Sequence, residues 1–111
     1  MREWPKYYIL IDRLPVAVDL MTWAKGFAKN KFVASDDIGN IQVSTIFLGV
    51  DHNWREAGDP VLFETMILDG GGRMWRYSSY AAAMRGHADA VAQVKREAAQ
   101  IRAITDQAGI E

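Results

Sequence analysis

The chain has 111 residues, 50% of them hydrophobic and 24% charged, with a formal net charge of −1 and no cysteine. That is the size of one domain, residues 1–111, with room for its own core, and it excludes disulfides, thiolate metal sites and a cysteine nucleophile. A near-neutral balance gives no field to draw nucleic acid or an anionic membrane, and no apolar run nears the roughly 20 residues of a membrane span.

In chain order, MREWPKYYILIDRLP is interrupted by charges and prolines and does not read as a secretory signal. Tyr7 to Ile11 is a β-rich apolar run, closed by Asp12-Arg13-Leu14-Pro15. Asp19 can cap a helix whose stripe of Leu20, Trp23, Ala24, Phe27 and Ala28 has the spacing of a core-facing face. Lys31 to Ser35, a turn-rich Asp36-Asp37-Ile38-Gly39-Asn40 and Ile41 to Val50 read as a hairpin. After the loop Asp51 to Pro60 comes a second apolar run, Val61 to Leu68. Both runs are apolar at nearly every position, the pattern of strands covered on both faces.

Gly70-Gly71-Gly72 turns the chain into Arg73 to Tyr77, a further short strand. Ser78 or Ser79 then caps the longest element, about Tyr80 to Gln107. Met84, His87, Val91, Val94, Ala98, Ile101 and Ile104 recur there at spacings of three and four. Such a helix would span about 42 Å, against about 27–34 Å for a strand of eight to ten residues. Its apolar end is therefore expected to overhang the sheet and to need a partner. The expected class is α+β: an antiparallel hairpin sheet of about four to five strands packed by a short N-terminal and a long C-terminal helix.

Charge is unevenly distributed. Residues 36–72 carry one Arg against seven Asp/Glu, while residues 1–35 carry six Lys/Arg against three Asp/Glu. The acidic block is either turn chemistry or a face that meets a basic partner. His87 occupies a seam position where an apolar residue is expected; it is a core-edge histidine bonded to a carbonyl, or it enters a polar pocket. Asp51 and His52 stand at a strand exit, where rigid elements aim loop residues at ligands. Glu64, inside an apolar strand, must reach solvent or find a partner, and His87 is one candidate. Trp54-Arg55 in the loop pairs two residue types typical of interface anchors.

Asp51, His52, Glu64 and His87 are oxygen and nitrogen donors, yet no HxH or HExxH spacing accompanies them, so neither a metal nor another cofactor is expected. Ser44 lies mid-strand without a G-x-S-x-G, and the glycine triplet lacks the Lys-Ser/Thr of a phosphate loop. Two further readings stay open. One is a nucleotide-signal binder with a dimer cleft lined by Arg76, Tyr77, His87 and Trp54. The other is a metal-dependent hydrolase using His52, Glu64 and His87.

The run Val43-Ser44-Thr45-Ile46-Phe47-Leu48-Gly49-Val50-Asp51-His52, then Pro60-Val61-Leu62-Phe63-Glu64-Thr65-Met66-Ile67, resembles a family of small proteins encoded by tailed phages and prophages. The likeness continues through Arg76-Tyr77-Ser78 to Gly86-His87, and Asp19 to Ala24 resembles the family's first helix. It covers about residues 16–95, though Trp54-Arg55-Glu56 stands where relatives are often glycine-rich. The resemblance implies an accessory protein of the bacterial cytoplasm that binds a host factor, such as a defence nuclease or effector, and no particular reaction. A homodimer through the C-terminal helix is expected alongside it.

Overall fold

The computed structural model describes residues 6–53 and 58–109. The chain is α+β: a two-stranded sheet and a four-stranded sheet, both antiparallel, with one short helix and one long C-terminal helix. Among the described residues no helix is long and apolar enough to cross a membrane.

The small sheet pairs β1 (Tyr7–Ile11) with β2 (Leu14–Val18), Ile11 opposite Leu14. The two loop residues, Asp12 and Arg13, have φ of 51° and 68°, the left-handed pair that matches the twist of a two-residue hairpin. The sequence reading ends the strand at Asp12–Pro15 and so misses β2. Pro15 looks like a breaker, but an edge strand tolerates it. Backbone bonds tie the hairpin to the rest of the chain: Tyr8 N–H donates to the Gly49 carbonyl at 2.9 Å and Asp51 N–H to that of Lys6 at 3.1 Å. Helix α1 (Leu20–Asn30) starts where Thr22 N–H donates to the Asp19 carboxylate at 2.7 Å. Its expected stripe is only partly used: Trp23 lies 5.3 Å from the Tyr7 ring, while Leu20 and Ala24 are exposed. The side chains of Phe27 and Ala28 fall outside the described ones.

The larger sheet runs in the order β3 (Phe32–Ile38), β4 (Ile41–Phe47), β5 (Phe63–Leu68), β6 (Met74–Tyr77). A two-residue turn, Gly39-Asn40, joins β3 to β4, with Gly39 at φ +61° as the turn requires. Asp36 and Asp37 therefore belong to a strand, not to the turn read from sequence. Alternation puts Val43, Thr45, Phe47, Phe63, Thr65 and Ile67 on one face, all buried.

Helix α2 (Tyr80–Gln107) crosses that face, capped where Ala82 N–H donates to the Ser79 hydroxyl at 3.1 Å. Its buried residues are Ala83, His87, Ala90 and Val94. The expected seam is thus turned toward alanines: Met84 is 39% exposed and Val91 only half-buried. A small side chain lets the helix approach the sheet closely, and a scan for large apolar residues passes over it.

Two expectations about coverage divide. Among the described residues the opposite face of the sheet, expected to be covered, is largely open. Phe32 is 74% exposed, Leu68 45% and Met74 44%, with Ile46 and Met66 half-buried beside them. The helix overhang is present. Burial along α2 ends at Val94, Ile101 and Ile104 are each 66% exposed, and the molecule measures 59 × 28 × 22 Å.

Candidate functional site

The polar centre lies under α2. His87, 4% exposed, places Nδ1 2.7 Å from Thr45 Oγ1 and Nε2 2.7 Å from Asp36 Oδ2. Thr45 Oγ1 is in turn 2.6 Å from Thr65 Oγ1. The carboxylate can only accept, so Nε2 carries a proton, and in the neutral imidazole Nδ1 accepts from the Thr45 hydroxyl. Thr65 then donates to Thr45. Three strands and the helix are joined by this one series of bonds.

A carboxylate, an imidazole and a hydroxyl in that order resemble a nucleophile with its base and orienting acid. Access decides against it. Thr45 and Thr65 are both 0% exposed, so no substrate atom can approach either hydroxyl. Sealed and saturated, the series is an anchor, since buried polar groups must find partners. It contributes about 1 kcal/mol per bond, and removing one member costs more than that.

Glu64 does not reach His87. It lies on the opposite face, only 8% exposed, where Arg76 Nε donates to its carboxylate at 3.0 Å. A strand's alternation makes this unavoidable, because Thr65 takes the helix side. His52, Glu64 and His87 therefore fail to converge, and among the described residues no group of three or more His, Cys, Asp or Glu could hold a metal. Of the residues expected to line a nucleotide cleft, Arg76 and Tyr77 point to opposite faces and His87 is sealed. Trp54 and Arg55 lie outside the described residues.

Asp51 and His52 organise the strand exit. The Asp51 carboxylate accepts from Asn53 N–H at 2.8 Å and Val61 N–H at 2.9 Å, and His52 Nδ1–H donates to the Val50 carbonyl at 2.7 Å. The acidic block is likewise mostly engaged. Asp36 bonds His87, Asp51 holds the loop, Glu64 meets Arg76, and Asp69 lies 2.8 Å from Arg73. Among its described members Asp37 and Asp59 are left exposed.

Arg73 also donates to Glu97 at 2.8 and 3.1 Å, joining the β5–β6 turn to α2. The Arg73 guanidinium, helped by the Gln93 amide, holds the Glu97 carboxyl below the usual range. Gly71 N–H does the same for Asp69, with Arg73 adding to it. Both carboxylates in turn raise Arg73, Glu97 more strongly.

Sequence reasoning missed a groove of about 240 Å³ between β6 and α2, lined by Trp75, Tyr77, Gly86, Asp89, Ala90 and Gln93. Gly86 makes it possible, since a Cβ there would run into the Tyr77 ring. The available signal was Trp75 and Tyr77 two apart on a strand, facing the Gly86, Asp89 and Gln93 ridge of a helix. Compared with known protein families, curated proteins and solved structures, the chain matches none.

Proposed function

We propose that the protein works by contact with another polypeptide and, following the resemblance, that this is a factor of the bacterial host, with a defence nuclease or effector as the first class to test. One observation carries the reading. The apolar runs are patterned for cover on both faces, and the described residues cover only one. Phe32, Ile46, Met66, Leu68 and Met74 spread over the open side, with the Glu64–Arg76 and Ser35–Gln42 bonds as its polar points. From strand spacing and rise this face, polar points included, is roughly 400 Å², within the range of the largest patch on a typical monomer, which is often functional. The sealing of His87 and Thr45 supports contact over catalysis.

A second copy is the proposed partner of the helix overhang. The buried series Ala83, His87, Ala90, Val94 continues at the same spacing through Glu97 to Ile101 and Ile104, now in solvent. A sustained 3.5-residue period is the pattern of helix-to-helix packing.

Native mass spectrometry of protein purified from a bacterial host tests the reading. A bound polypeptide is expected, lost in a Phe32→Glu, Leu68→Lys variant whose melting curve is unchanged. A bound nucleotide or metal ion in its place would overturn it.

A further inference from the structure

The groove beside β6 differs from the open face in having both an unpaired strand edge and, among the described residues, a carboxylate outside any ion pair. β6 is the last strand of its sheet. Its ladder pairs the Arg73 carbonyl with Ile67 N–H, then Trp75 with Thr65 and Tyr77 with Phe63. Antiparallel alternation therefore turns the N–H and C=O of Met74 and Arg76 away from β5, outward. Both residues are exposed. On the helix side of the same strand Trp75 and Tyr77 form one wall of the groove, and Asp89 and Gln93 the other.

The polar atoms of that second wall are acceptors. Asp89 is exposed and makes no ion pair among the described residues. Gln93 already donates through its amide nitrogen to Glu97 at 3.3 Å, leaving its carbonyl oxygen to accept. Two aromatic faces opposite a carboxylate and an amide oxygen suit a cation on a long alkyl stem.

We propose that this groove is a strand-addition site: an extended segment of a partner polypeptide pairs with the outward edge of β6 and lays a Lys or Arg side chain between Trp75 and Tyr77 to reach Asp89. Added strands take affinity from main-chain bonds and specificity from pockets for alternate side chains, and both elements are present here. The charge argues against a second copy of β6 as occupant, because that strand offers Trp75 and Tyr77 on its helix side and the adjoining Arg73 is already held by Asp69 and Glu97. The inference rests on the reading of the protein as a polypeptide binder and places a second contact apart from the open face.

The test uses the full chain and two labelled hexapeptides, acetyl-Val-Lys-Val-Lys-Val-Lys-amide and the same sequence with Glu for Lys, followed by fluorescence anisotropy. The Lys peptide should bind roughly tenfold tighter or better. Asp89→Lys should reverse that preference. Met74→Pro should weaken the Lys peptide by roughly tenfold while the protein stays folded, because proline is tolerated where an edge N–H faces solvent. Should Met74→Pro fail to fold, a Lys peptide N-methylated at alternate residues removes the same bonds from the other side and should bind as weakly.

Equal binding of the Lys and Glu peptides, indifference to Asp89→Lys, or no binding up to about 1 mM would overturn the proposal. So would a β6-dependent dimer that takes neither peptide. If no peptide binds but a host polypeptide is still lost with Phe32→Glu, Leu68→Lys, the groove falls and the open face stands. If the Lys peptide binds as described and no host polypeptide is found, the open face falls alone.

Discussion

Replacing His87 with Ala removes the middle of the buried series. Thr45 and Thr65 can still bond each other, but one of their two hydroxyl protons loses its acceptor. A buried polar group left unsatisfied costs about 1–3 kcal/mol, and the space vacated by the imidazole adds a cavity cost of about 1–2 kcal/mol. Asp36, with its side chain 57% exposed, returns to water at little expense. The expected loss is therefore about 3 kcal/mol, a large part of the 5–15 kcal/mol typical of a whole domain. In urea, with a slope of about 1.5 kcal/mol/M, the midpoint should fall by about 2 M at unchanged slope. Replacing the whole series, Thr45→Val with Thr65→Val and His87→Leu, should recover most of that loss, because no buried polar atom is then orphaned. A His87→Ala loss within about 0.5 kcal/mol would refute the burial argument. A triple variant as unstable as His87→Ala would refute the bonding argument.

Gly86→Ala should destabilise by about 1–3 kcal/mol through the clash with Tyr77, although alanine is the better helix former by about 1 kcal/mol; thermal melting gives the sign. Ile101→Asp should shift a dimer to monomer in light scattering, by putting an unpaired charge into an apolar contact, and a monomer mass for the unaltered chain at all concentrations would remove the overhang as an interface. The Asp69 and Glu97 carboxyls are held below their usual values. The stability they add is therefore present in full above the unfolded carboxylate pKa, about 4, and is lost as pH falls through the lowered values. The melting-temperature gap between the unaltered chain and Arg73→Met should be open at pH 7, close in acid and narrow with salt.

Period and capping made most of the architecture legible. Asp19 and Ser79 start their helices as capping chemistry requires, and α2 ends at Gln107 as expected. What escaped was tertiary. Pro15 hid β2, because a breaker's effect depends on whether its strand has a neighbour on that side. Asp36 looked like a turn residue until the two-residue turn at Gly39-Asn40 drew it into β3 opposite Val43. His87 was visible as an anomaly in an apolar seam. Its partners were not, since Thr45 lies 42 positions away and Asp36 51. Glu64 illustrates the same limit: one step of strand alternation decides which side of the sheet it joins.

The last turns of α2 have a consequence for turnover of the chain. Past Glu97, which Arg73 ties to the β5–β6 turn, ten residues, about 15 Å of helix, run on mostly exposed to Gln107. A helical segment of that length is marginal in water by its own propensity. In a lone molecule these turns open and close far more readily than the helix beneath the sheet. Arg102 lies within them, so a trypsin-like protease would clip the end of the helix there long before it reached the core. Occupying Ile101 and Ile104 would shield the same bonds. With a second copy seated there as proposed, the rate of that clipping would report the fraction of the protein that is paired.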